Sequence, residues 1–88
     1  MTDLTAAEQH WHDWIHDACA ALDVDPGAVD VTGIHALTRD IAHDVARPMA
    51  PVGSYILGLA VGARAARGEP VDPAALTAAM RSTFPGRE

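Results

Sequence analysis

The sequence predicts an all-α fold, a small four-helix domain that is bundle-like in an orthogonal or up-down arrangement. Three observations carry this expectation. Apolar residues recur at three- and four-residue steps, with no alternating run of strand length. Hydrophobic residues make up 49% of the 88-residue chain, and much of that share is alanine, the best helix former. Proline and glycine fall in clusters that cut the chain into four segments, and no internal repeat or low-complexity tract interrupts them. A chain this short has material for one modest core, so residues 1–88 are expected to form a single domain. Self-association would help so small a core reach ordinary stability.

The first helix is expected over residues 5–22. Leu4, Ala7, Trp11, Trp14, Ile15, Ala18 and Leu22 share helical spacing, and Thr5 with Glu8 has the form of a capping box. Trp11 and Trp14 read as core anchors, because they hold much of the aromatic area of a chain with one Phe and one Tyr. Clustered aspartates and the Pro26-Gly27 pair then predict a turn. A second helix over residues 31–46 is capped by Asp30 or Thr32, with Ile34, Leu37, Ile41 and Val45 on its core face. Arg47-Pro48 stops it, since a residue before proline is pushed out of the helical region.

Pro51 suits the first turn of a third helix over residues 51–67, in which Tyr55, Ile56, Leu59 and Val61 precede Arg64 and Arg67 and Gly68 closes the end. The uncharged stretch 49–63 inside it is shorter than the roughly 20 residues a bilayer requires, so it reads as a buried helix and not a membrane span. Glu69-Pro70-Val71 forms a linker. Asp72 followed by Pro73 then starts a fourth helix over 73–82, and residues 83–88 are expected to be a frayed tail.

The net charge of −6 argues against nucleic acid as a partner, because phosphate binding needs the opposite field. The charge is also divided along the chain. Seven carboxylates and no Arg or Lys precede Arg39, whereas after Val45 five arginines face three acids. The two halves should attract each other, within one molecule or between two. Cys19 is the sole cysteine, so no intramolecular disulfide is expected. The opening Met1-Thr2-Asp3-Leu4 lacks the basic and apolar regions of a signal peptide, and a cytoplasmic protein is the expectation.

Three constellations are candidates for function. Asp40, His43 and Arg47 follow i, i+3, i+7 spacing on the second helix, aside from its core face. The carboxylate could fix the imidazole tautomer while the guanidinium binds an anion; an ordinary surface ion pair is the competing reading. Tyr55 lies near the 47–51 corner, where its hydroxyl could reach that stripe. Ser54, Gly58, Gly62 and Ala66 follow at four-residue steps and form a groove almost free of side chains. Internal packing against the first or second helix is the favoured reading of that groove, since mid-helix glycine costs about 1 kcal/mol relative to alanine, and a dimer seam is the alternative. His12 and His16 share one face at i, i+4, but two imidazoles are no metal site, and a solvated polar face outweighs a metal reading. No catalytic residue, metal ligand or cofactor is assigned.

Across Arg39-Asp40-Ile41-Ala42-His43, Arg47-Pro48-Met49-Ala50-Pro51 and Tyr55-Ile56-Leu57-Gly58-Leu59-Ala60, the chain resembles an actinobacterial all-helical family of unknown function. That family is found alone or fused to the molybdenum cofactor guanylyltransferase. The likeness runs from the Trp14 region to about Gly68. It implies a setting in molybdopterin guanine dinucleotide biosynthesis or molybdoenzyme maturation, with a guanylyltransferase or maturation protein as partner. It does not imply guanylyl transfer, which needs a glycine-rich phosphate loop in an α/β domain; Gly58 and Gly62 lie inside a helix. The resemblance marks Arg39, Asp40, His43, Arg47, Pro48 and Pro51 as positions without assigning their roles.

Three functions are therefore in competition. A non-enzymatic accessory module would bind through Arg39, Asp40, His43, Arg47 and Tyr55. A structural homodimer would use the Ser54, Gly58, Gly62 and Ala66 groove of the third helix as its seam. A small acid–base or metal-dependent enzyme would rely on Asp40 and His43, and stands last because so few groups converge.

Overall fold

The structure, a computed structural model, describes residues 4–85. The side chains of residues 4–6, among them the Thr5 that the expected capping box pairs with Glu8, and the tail residues 86–88 lie outside the described residues. Four α-helices are present, α1 Leu4–Leu22, α2 Val31–Asp44, α3 Met49–Ala66 and α4 Pro73–Arg81, with a 3₁₀ turn at Pro26–Ala28. No strand occurs among the described residues, so the all-helical prediction holds. The chain divides into two compact units, one ending at Asp30 and a larger one beginning at Val31.

In the N-terminal unit, α1 ends where Asp23 enters the left-handed region with φ 58°. Val24 N donates to Cys19 O at 2.8 Å and Asp23 N to Ala20 O at 3.4 Å, the paired bonds of a Schellman cap. An aspartate here does the work usually given to glycine. The Asp25 side chain accepts from Gly27 N at 2.9 Å and so starts the 3₁₀ turn that Pro26 favours. Cys19 is buried, but Trp11 and Trp14 are 48% and 68% exposed. The expectation that both indoles anchor a core is thus corrected. One helix followed by a 3₁₀ turn has no second apolar surface broad enough to cover two indoles.

The larger unit is built around α3, with both α2 and α4 packed on it. Leu37 and Ile41 of α2 form its core, at 0% and 3% exposed, together with Phe84 at 4%. Ala50, Leu57 and Met80 pack against them. Phe84 lies in the stretch expected to fray. Instead its backbone N donates to Arg81 O at 3.1 Å, and the ring closes the core beyond the end of α4. Val45, expected on the core face, is 41% exposed because α2 ends one residue earlier, at Asp44.

Boundaries differ from expectation where prolines lie. α3 begins at Met49 and carries Pro51 within its first turn, where a missing N–H leaves no bond unmade. Its other end matches the prediction. Gly68 has φ 71°, its N donates to Ala65 O at 3.0 Å, and Glu69 N donates to Arg64 O at 3.0 Å. The Asp72 side chain accepts from Ala75 N at 3.2 Å with Pro73 in the first turn, as expected for the start of α4.

Two expectations about α3 need correction. It is not a buried helix, because α2 and α4 cover one side only; Gly53 is its sole buried residue. The helix as formed has 18 residues with a mean hydropathy of 1.2, so by length and composition alone it is long and apolar enough to cross a membrane.

Candidate functional site

The predicted Asp40, His43 and Arg47 stripe does not assemble. Because α2 ends at Asp44, Arg47 lies in the turn before α3 and leaves the helical register that would align it with Asp40. The half-buried Asp40 is instead held by Arg81, whose Nη1 donates to Asp40 Oδ2 and ties α4 to α2. Their side chains are 30% and 27% exposed, so the pair is partly shielded from solvent. Arg39, His43 and Arg47 are exposed, and no side-chain hydrogen bond or ion pair of theirs occurs among the described residues. Tyr55 is 69% exposed and makes no such bond to the α2 stripe. Sequence reasoning missed Arg81. The one available signal was a lone arginine on the apolar fourth helix, in a chain whose cationic half had already been noted.

The glycine-spaced groove also changes meaning. Nothing lies within 4 Å of a Cβ built on Gly58 or Gly62, so the favoured reading of internal packing is not met among the described residues. Ser54 is half-buried and returns its hydroxyl to Pro51 O at 2.9 Å, while Ala66 is exposed. The glycine that does permit close approach is Gly53, outside the four-residue series. A Cβ there would overlap Ile41 Cδ1 and lie 3.8 Å from Met80 Sδ. Helix α3 meets the core through Gly53 because Ile41 fills the space a side chain would need.

Close approach at Gly53 opens a groove beside it. This groove, about 600 Å³ in volume, is walled by α2, α3, α4 and the residues that follow α4. Ile41, Met49, Ile56, Leu57, Met80 and Phe84 are among the residues of its apolar wall. Arg64 is the only charged residue lining it among the described residues. Its Nη1 donates to Ala60 O at 3.3 Å, which uses one of the five N–H donors of a guanidinium. At the C-terminal end of α3, Arg67 and Glu69 form an exposed two-pronged pair at 2.6 and 3.2 Å. The Arg67 guanidinium, with the charge of Arg64 behind it, holds the Glu69 carboxyl below its ordinary value.

The rings of His12 and His16 lie 4.7 Å apart, centroid to centroid, on the exposed face of α1. No group of three or more His, Cys, Asp or Glu side chains able to hold a metal occurs among the described residues.

An apolar groove set in a few short helices defines a small all-helical domain, with no catalytic constellation among the described residues. The chain belongs to the family described as Domain of unknown function (DUF6457), whose model matches residues 6–85. No curated protein and no solved structure matches it.

Proposed function

We propose that the domain is a non-enzymatic interaction module that takes an amphipathic helix of a partner protein into the groove between α2, α3 and α4. The observation that carries this reading is the groove itself, open and apolar, with Arg64 as its one charge among the described residues. A helix entering such a groove contributes apolar side chains at i, i+3, i+4 and i+7, and a carboxylate on its flank meets the guanidinium. Asp40 supports the reading in a different way. Because Arg81 occupies it, the carboxylate does not orient His43, and the acid–base alternative loses its first component.

The setting proposed is maturation of a molybdenum enzyme in the cytoplasm, with a molybdenum cofactor guanylyltransferase or a molybdoenzyme maturation protein as the partner. What supports that setting is the resemblance carried by residues 39–43, 47–51 and 55–60. Exposed Arg39, His43 and Arg47 lie on α2 and the turn that follows it, and would add polar contacts at the margin of the interface.

Isothermal titration of the domain against the guanylyltransferase of the same organism tests both parts. The expected result is a one-to-one complex, lost in Ala79→Glu, which places a carboxylate on an exposed part of the groove wall without touching the core. Binding that survives Ala79→Glu but fails in Arg47→Ala would move the interface out of the groove. No heat at micromolar concentration with either class of partner would refute the setting.

A further inference from the structure

Helix α3 has a second face beside the groove, which shares Val52 and Ile56 with the groove rim and continues beyond it through Leu59, Ala63 and Ala66. Val52, Ile56, Leu59, Ala63 and Ala66 follow one another at steps of four, three, four and three residues. That is the average spacing of 3.5 by which a helix keeps one seam toward another helix. Tyr55 and Gly62 flank the seam on one side, one position before Ile56 and Ala63. Val52, Ile56, Leu59 and Tyr55 are 44%, 51%, 54% and 69% exposed, and Gly62, Ala63 and Ala66 are exposed as well. Not one charged residue occurs between Met49 and Ala63. A solvated helical face normally carries charge, and among the described residues of the unit beginning at Val31 nothing covers this one.

We infer that a second copy of this chain covers it, α3 packing antiparallel on α3 about a two-fold axis near Leu59. The direction follows from side-chain size. The seam is bulky before Leu59 and small after it. Antiparallel pairing sets Val52 against Ala66, Tyr55 against Ala63 and Ile56 against Gly62 of the second copy, so each large residue meets a small one. Parallel pairing would set Ala63 on Ala63 and Ala66 on Ala66, and leave a gap. It would also bring the two copies of Arg64 side by side. In the antiparallel pair they stand about 15 Å apart along the axis, beyond the screening length at physiological salt.

The open space around Gly62 then has an explanation. Glycine weakens a helix interior relative to alanine, and nothing among the described residues requires one here. Against a second helix it is the position that admits Ile56. The apolar surface available is roughly 500 Å² per copy, taking about 150–200 Å² for a large side chain fully exposed. Two copies together bury roughly 1,000 Å², the lower bound for a specific interface. A surface of that size with no charge at its centre suits a symmetric dimer of micromolar strength.

Sedimentation velocity of the whole chain between about 1 and 500 μM tests the inference. The expected result is a monomer–dimer equilibrium within that range, weakened at least 100-fold by Leu59→Glu, a half-exposed position outside the groove wall at which folding is checked by circular dichroism. Ala79→Glu, which abolishes groove binding, leaves the dimer intact, so the two sites fail separately. Direction is read by oxidising a mixture of Tyr55→Cys and Ala63→Cys proteins: mixed disulfides are expected to dominate, whereas self-linked Tyr55→Cys pairs would overturn the antiparallel arrangement. A wild-type monomer at every concentration would overturn the dimer. So would flotation of the monomer with phosphatidylcholine–phosphatidylglycerol vesicles, lost in Leu59→Glu, which would assign the face to a lipid surface.

Discussion

Replacing Gly53 and Gly58 separately by alanine separates helix propensity from packing within one helix. Both lie inside α3, and the chemical change is the same. At Gly58 the new methyl meets nothing within 4 Å. The substitution should therefore return the propensity difference, a stabilisation of about 0.5–1 kcal/mol. At Gly53 the same gain is opposed, because the methyl would overlap Ile41 Cδ1, and Ile41 is only 3% exposed, in a core it shares with Leu37 and Phe84. Displacing a packed side chain costs about 1–3 kcal/mol, so the net change at Gly53 should be a loss of up to about 2 kcal/mol. Propensity cancels in the comparison, leaving a gap of about 1–3 kcal/mol that reports packing alone. In a domain of this size it corresponds to melting temperatures separated by at least about 4 °C. Thermal unfolding followed at 222 nm, at a protein concentration low enough to keep the chain monomeric, measures it. Equal melting temperatures for the two variants would refute the close approach of α3 to α2 at Gly53.

The Arg81–Asp40 pair should show a coupling energy of about 1 kcal/mol in a double-mutant cycle of Arg81→Ala and Asp40→Ala, with the coupling reduced in 1 M salt; strictly additive losses in urea unfolding would argue against the pair. Glu69 has a folded pKa below its ordinary value of 4.5, so its contribution to stability is present above that value and is lost as pH falls through the folded value. Glu69→Gln should accordingly flatten the decline in melting temperature between pH 6 and pH 3, and an unchanged decline would remove the Arg67–Glu69 pair as its source. Phe84→Ala should destabilise the chain by about 3–5 kcal/mol in denaturant titration, although it lies beyond the last helix; a loss under 1 kcal/mol would restore the frayed-tail expectation.

Local chemistry explains what was readable in advance. Asp72-Pro73 and Gly68 fixed their helix ends because each acts on backbone groups within a few residues, and a proline or a left-handed glycine does so wherever the rest of the chain goes. Leu37 and Ile41 were legible for a related reason. They stand on a helix with a distinct polar flank, so periodicity alone orients them. Phe84 was not legible, because it acts after the periodicity has stopped. Arg81 was missed because its partner is 41 residues away in sequence, a separation that helical spacing does not address. The Asp40, His43 and Arg47 stripe failed by two residues. Had α2 continued to residue 46, Arg47 would have followed in register, but the helix ended at Asp44 and the stripe with it.

Helix α3 shows where pattern reading stops for a physical reason. Its residues are apolar all round from Met49 to Ala63, so no polar flank marks which side the core takes. Spacing by four picked out Ser54, Gly58, Gly62 and Ala66 as the packing face, while the structure packs through Gly53 and Leu57. The distinction lies in Ile41. A buried, branched side chain on α2 needs a recess, and Gly53 is the one glycine of α3 placed to supply it. Once that contact fixes the rotation of α3, its remaining apolar residues are assigned without further choice. Met49, Leu57 and Arg64 line the groove, whereas Leu59, Ala63 and Ala66 do not. Val52 and Ile56 stand on the shared rim, since both line the groove and both lie on the 3.5-residue seam. A charge at either of these two positions should therefore impair partner docking and self-association together, whereas Ala79→Glu and Leu59→Glu should each impair only one.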